Sequence, residues 1–361
     1  MKNRWNDTEA AAFGGPLGDL VYASRLVGSE PSLVLHGGGN SSIKRTESDV
    51  FGKDIEAVWV KASGWNLADI EPEGFAPVRL DAIRRLADLE TLSDTAMANE
   101  LRTALLNATA ATPSVEAIIH AIIPDRAVLH THADALLAIS STADGSERVK
   151  ELYGDRVVVV PYARSGFRIG RAAAVELERR LTDETIGVVL MNHGLFTFGS
   201  DPHEAYNRMI DLVTEAEAYL EEAADREEPP GSVGASPRVD RSVLAALRSE
   251  ISRVAGAPFI MSRHSDHESW AFGRRSDLAE VAGQGPATPD HVIWTKTFPM
   301  FGRDVDAYAD MYRSYFEENQ PRVGPVRMLD PAPRVIFDPE LGMLTAGPDV
   351  GAADTARDIY R

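Results

Sequence analysis

Ala127-Val128-Leu129-His130-Thr131-His132 is the stretch from which the rest of the chain can be read. Three apolar residues lead into histidines at i and i+2, and strand residues two apart point to the same face. The run is expected to be a buried strand that delivers two imidazoles to one spot. A second apolar run, Val188-Val189-Leu190-Met191-Asn192-His193, again ends in a histidine. Zinc accepts imidazole nitrogen, and a catalytic zinc keeps three protein ligands and one open position. His130, His132 and His193 are therefore the predicted ligand set, with three hydrogen-bonded core histidines as the competing reading.

Glu116 tips the balance toward the metal. It lies one predicted helix upstream, in Ser114-Val115-Glu116-Ala117-Ile118-Ile119-His120. A carboxylate among these apolar residues risks burial, which raises its pKa, whereas a nearby cation lowers it. A carboxylate tuned in this way beside a Lewis acid suits proton transfer at carbon. Ser114 is expected to cap the helix. His120, one turn after Glu116, reads as a packing residue or a partner of a ligand. Further upstream, His36-Gly37-Gly38-Gly39-Asn40-Ser41-Ser42 can form an anion nest, because consecutive glycines allow positive φ and turn their N–H groups inward. Ser63-Gly64, after the strand-like Ala57–Ala62, offers a second such turn. Together they form a predicted cradle for a phosphate or a polyhydroxy substrate.

Around this centre, strand-like runs at 127–130, 157–160 and 187–191 alternate with helix-like stretches at 16–28, 95–107, 133–140, 172–181 and 201–224. A Pro-, Gly- and Ser-rich stretch follows, read as a linker over 229–239 between a first domain, 1–228, and a C-terminal α/β extension, 240–361. In the extension, helices are expected at 243–254 and 305–317, a strand at 291–296 (HVIWTK) and a hairpin over 334–345. His264 and His267 are spaced i, i+3 and read as part of a polar loop.

The composition narrows the chemistry. The 361 residues carry 37 Lys and Arg against 55 Asp and Glu, a formal charge of -18. A field of that sign disfavours nucleic acid and anionic membranes, so an anionic substrate needs a local pocket. The absence of cysteine excludes disulfides, thiolate zinc sites and cysteine nucleophiles, and fits a reducing compartment. No apolar segment follows the N-terminal charges and no run reaches membrane-spanning length, so a cytoplasmic protein is expected. Neither G-x-S-x-G nor HExxH occurs, which argues against an esterase that uses HGGG as its oxyanion loop and against a zincin protease. No G-x-G-x-x-G follows a strand, so no dinucleotide-dependent activity is expected.

HGGGNSS, KASG, Ser114-Val115-Glu116, LHTHADAL and MNHGLFTFG occur in this order over about residues 15–225, and in this the chain resembles the class II aldolase/adducin family. The resemblance implies a three-layer α/β/α fold around a mostly antiparallel sheet, with the smaller α/β region after it. It also implies a cyclic homotetramer with zinc, or another divalent metal, held near subunit interfaces by His130, His132 and His193. Glu116 would be the acid/base, and Asn40, Ser63, Gly64 and Ser114 would lie in the phosphate site beside the Gly38 and Gly39 amides. Val115 stands where several sugar-phosphate aldolases carry a second hydroxyl residue. Residues 285–296 (GPATPDHVIWTK) resemble the aldolase portion of bacterial rhamnulose-1-phosphate aldolase/short-chain dehydrogenase fusions.

The expected reaction is retro-aldol cleavage of a ketose 1-phosphate, with L-rhamnulose 1-phosphate favoured, to dihydroxyacetone phosphate and a small aldehyde. Tyr162, in a Pro-Tyr turn after a strand, is the candidate proton donor to the leaving aldehyde. Sugar-phosphate epimerases and dehydratases share the fold and the histidine set. Adducin-like interaction modules lack those histidines.

Overall fold

The structure is a computed structural model and describes residues 1–223, 238–323 and 326–361. The chain divides into two compact units, Met1–Ala224 and Asp225–Arg361. Most of the connector expected at 229–239 lies outside the described residues.

Among the described residues of the first unit, seven strands form one sheet. They are β1 (Asn40–Ser48), β2 (Asp54–Lys61), β3 (Phe75–Arg79), β4 (Ala127–Thr131), β5 (Val157–Val160), β6 (Gly187–Leu190) and β7 (Gly194–Gly199). Their order is β3-β2-β1-β4-β7-β6-β5, and every pairing is antiparallel except β5 with β6. The alternation of strand side chains sorts the core into two faces. Ile43, Ala127, Leu129, Val189 and Leu195 pack with residues of the helices Gly18–Gly28, Asp134–Ser140 and Pro202–Ala223. Val58, Val60, Val128, Val158, Val188 and Phe196 face the other way, toward Leu80–Leu86, Asp94–Thr103, Ala117–Ile122 and Phe167–Arg180. The result is the expected α/β/α sandwich. β4 is central and every one of its residues is buried, so it carries His130 into the interior.

In the second unit a sheet of order β8-β11-β10-β9 is built from β8 (Ile260–His264), β9 (Met300–Phe301), β10 (Val335–Asp338) and β11 (Gly342–Gly347). The expected hairpin is the β10–β11 pair. The expected strand at 291–296 is instead part of a helix, Pro289–Trp294. Thr288 caps it through Oγ1, which accepts from His291 N–H, and Pro289 occupies the first turn. This start signal outweighs the strand preference of Val292, Ile293 and Trp294. His264 is not in a loop: it ends β8, buried, with Nε2 2.8 Å from Thr345 Oγ1.

Candidate metal centre

The centre forms where β4 leaves the sheet beside the β6–β7 turn. His130 and His132 stand on and just beyond the end of β4, and His193 occupies the turn, after Asn192 at φ 59°. Gly194 makes this approach possible. A Cβ at Gly194 would stand 2.2 Å from the Thr131 carbonyl oxygen and 2.9 Å from His130 Cε1. Gly194→Ala must therefore push the turn away from β4, with an expected stability loss of about 2 kcal/mol or more. A denaturant melt checks this. A midpoint equal to wild type would show that the turn is not held so tightly.

The three rings face one another, with centroids 5.0 Å apart for His130–His132 and 5.3 Å for each of the other pairs. One ligand nitrogen from each lies within 4.8 Å of the others. His130 Nδ1–H donates to the Leu195 carbonyl at 3.0 Å, and its ring stacks on Phe196 at 4.0 Å. The tautomer is thereby fixed, leaving the Nε2 lone pair facing the centre. Burial pushes the His130 imidazole well below its usual pKa, so it is neutral and no proton competes for that lone pair. His130 Nε2 and His193 Nε2 are buried and make no hydrogen bond. Buried nitrogens without hydrogen bonds are costly unless a ligand satisfies them. This donor set, three imidazoles and no thiolate, fits a divalent cation with a position left open.

Glu116 closes the other side and is 7% exposed. Its Oε1 lies 2.7 Å from His193 Nε2, outside hydrogen-bonding geometry, and its Oε2 lies 3.5 Å from His130 Nε2. The expected helix start at Ser114 is displaced to Ala117. Ser114 and Glu116 form a turn in which Ser114 Oγ accepts from Glu116 N–H at 3.3 Å, and the Glu116 side chain makes no helix cap. The carboxylate is thus left to face the histidines. Burial alone would raise its pKa, but the imidazoles of His130, His193 and His132 hold it well below the usual carboxylate range.

The glycine loop lies against this centre. Gly39 has φ 60°, and a Cβ there would meet the His130 carbonyl oxygen at 2.6 Å. Gly38 N–H donates within the loop to Leu35 O, so it is committed to the turn and not offered to an anion as expected. Asn40 Nδ2 donates to Glu116 Oε2 and, at 3.2 Å, to Ser114 Oγ. Ser63 and Gly64 follow β2 beside the 112–114 segment. Ser63 N–H donates to Thr112 O at 2.8 Å, and Ser114 N–H donates to Lys61 O at 3.1 Å.

Tyr162 does not join the cluster. It is 68% exposed and lines a groove of about 340 Å³ with Lys150, Glu176, Arg180 and Asn192. Lys61 was not singled out from the sequence, yet it is buried and its Nζ donates to Gly37 O at 2.9 Å, tying the glycine loop to the 61–64 turn. Its signal was a charged residue ending an apolar strand directly before Ser-Gly.

Residues 18–220 match the family model described as the class II aldolase and adducin N-terminal domain, and residues 238–361 match that of the class II aldolase second domain. The N-terminal class II aldolase domain of a conserved protein from Thermoplasma acidophilum is 40% identical, with a TM-score of 0.56, covering 61% of this chain and 99% of that one. L-fuculose-1-phosphate aldolase from Thermus thermophilus is 21% identical, with a TM-score of 0.37, covering 56% of this chain and 95% of that one. The uncharacterized oxidoreductase YuxG of Bacillus subtilis (strain 168) is 30% identical over the whole of this chain. The chain spans 55% of the length of that curated relative.

Proposed function

This chain belongs to the class II aldolase and adducin family, and from that premise we propose that it is a divalent-metal aldolase cleaving a ketose 1-phosphate, L-rhamnulose 1-phosphate being the favoured substrate. The products are dihydroxyacetone phosphate and a small aldehyde. The observation that carries this reading is the opposition of His130, His132 and His193 to a buried Glu116. An adducin-like binding module has no use for buried imidazole nitrogens left without hydrogen bonds beside a carboxylate.

His130, His132 and His193 would hold the cation, with zinc favoured. When bound, it supplies Lewis acidity that stabilises negative charge developing on the substrate's oxygens. Glu116, ionised and shielded from water, takes or returns the proton at C1 of the three-carbon fragment. Asn40 and Ser114, at hydrogen-bonding distance from each other, orient the phosphorylated end, with the 63–64 turn completing the cradle. Tyr162 remains the proposed proton donor to the leaving aldehyde, a role that requires it to reach the substrate from its exposed turn.

The same reading carries a cyclic homotetramer and a cytoplasmic location as proposals. Among the described residues, no helix is long and apolar enough to cross a membrane. The test is to assay the purified chain on a panel of ketose 1-phosphates, with and without a chelator. Chelator-sensitive release of dihydroxyacetone phosphate is expected. Chelator-resistant release, or epimerisation or dehydration in place of cleavage, would overturn the assignment.

A further inference from the structure

One face of β1 carries three polar residues in a row, Asn40, Ser42 and Lys44, each buried. Across from them lies the segment from Glu116 to Asp125, and the two make three rungs. Asn40 meets Glu116, Ser42 meets His120, and Lys44 Nζ donates to the Asp125 carbonyl at 2.6 Å. His120 joins the first rung to the second. Its Nε2 bonds Asn40 Oδ1 and its Nδ1 lies 2.7 Å from Ser42 Oγ. His120 is 0% exposed and, at 5.4 Å, its ring packs edge-on against Phe196.

The direction of each hydrogen bond follows from the donor inventory. An ionised carboxylate only accepts, so Asn40 must turn its NH2 to Glu116. Asn40 Oδ1 then faces His120 and needs a donor, which must be Nε2–H. Burial pushes the His120 imidazole down to about 3, so the ring is neutral and carries one proton. Nδ1 is then an acceptor, and the Ser42 hydroxyl donates to it. With the opposite tautomer, Asn40 Oδ1 would face a ring lone pair. Rotating the amide to relieve that would set Oδ1 against the Glu116 carboxylate.

We propose that His120 is a positioning residue: as its Nε2–H tautomer it locks the Asn40 amide so that the NH2 group is presented to Glu116 and the proton-carrying carboxylate keeps one orientation. This rests on the reading of Glu116 as the proton carrier, and the test separates the two. The first measurement is the tautomer itself, from long-range proton–nitrogen spectra of the full chain labelled with ¹⁵N-histidine, His120 being assigned by the signal lost in His120→Gln. An Nε2–H pattern unchanged between about pH 8 and pH 6 is expected. An Nδ1–H pattern, or exchange between the two, would overturn the proposal whether or not the chain cleaves sugars.

The second measurement is kinetic. His120→Leu removes the donor and leaves Asn40 Oδ1 unpaired. Its kcat should fall about 10- to 100-fold with metal content unchanged. His120→Gln places an NH2 group where Nε2–H stood and should hold kcat within about threefold of wild type. Equal losses in the two variants would show that His120 only fills space. Should His120→Leu fail to fold, the wild-type tautomer and the Gln variant still decide the matter.

Discussion

Glu116→Gln should lower cleavage of the phosphorylated ketose by about a hundred- to ten-thousand-fold, the range lost with a positioned general acid or base. The substitution keeps the shape of the side chain and leaves an oxygen to accept from Asn40 Nδ2. What it removes is the charge and the capacity to take a proton. The histidines are untouched, and His130 is still oriented by its bond to the Leu195 carbonyl, so metal content should match wild type. Turnover within about threefold of wild type at full metal occupancy would remove Glu116 from the proton path.

Much of this centre could be read from the sequence because its parts obey short-range rules. The pairing of His130 with His132 follows from strand periodicity alone, and β4 places both where the spacing predicts. His193 was legible as a second strand-end histidine, but that β6 and β7 would bring it beside β4 is a matter of sheet order, which no local pattern encodes. Sequence and structure part where a tertiary contact or a cap decides the outcome. The Gly38 amide is consumed by the turn that shapes the loop, so a run of glycines did not mean a run of free donors. At 291–296, β-branched residues pointed to a strand, and Thr288 with Pro289 made a helix. Lys61 went unassigned because its contact, the Gly37 carbonyl, lies 24 residues away in the sequence. Tyr162 follows its strand as the sequence indicates, and its distance from the histidines is set by the exposed turn, which no local pattern encodes.

The second large effect is expected from His132→Ala, and the site's construction explains why this ligand is the one to remove. His130 is fully buried and stacked on Phe196, so truncating it would open a cavity and confound metal loss with misfolding. His132 lies just past β4, and its backbone N–H donates to Leu33 O at 3.0 Å whatever side chain it carries. His132→Ala should therefore fold, and its far-ultraviolet circular dichroism should match wild type. Two imidazoles cannot enforce the geometry that three provide, so the dialysed variant should retain little divalent metal and its cleavage should fall below detection. Stability supplies a readout that does not depend on the substrate. A cation that binds only the folded state stabilises it by about 2.7 kcal/mol when free metal is a hundredfold above Kd. Wild type should melt higher on adding zinc, and His132→Ala should show no such rise at the same concentration. Full zinc occupancy in the variant, with the same stabilisation and unchanged cleavage, would mean that the buried histidines are not the metal's ligands and that its position must be sought elsewhere.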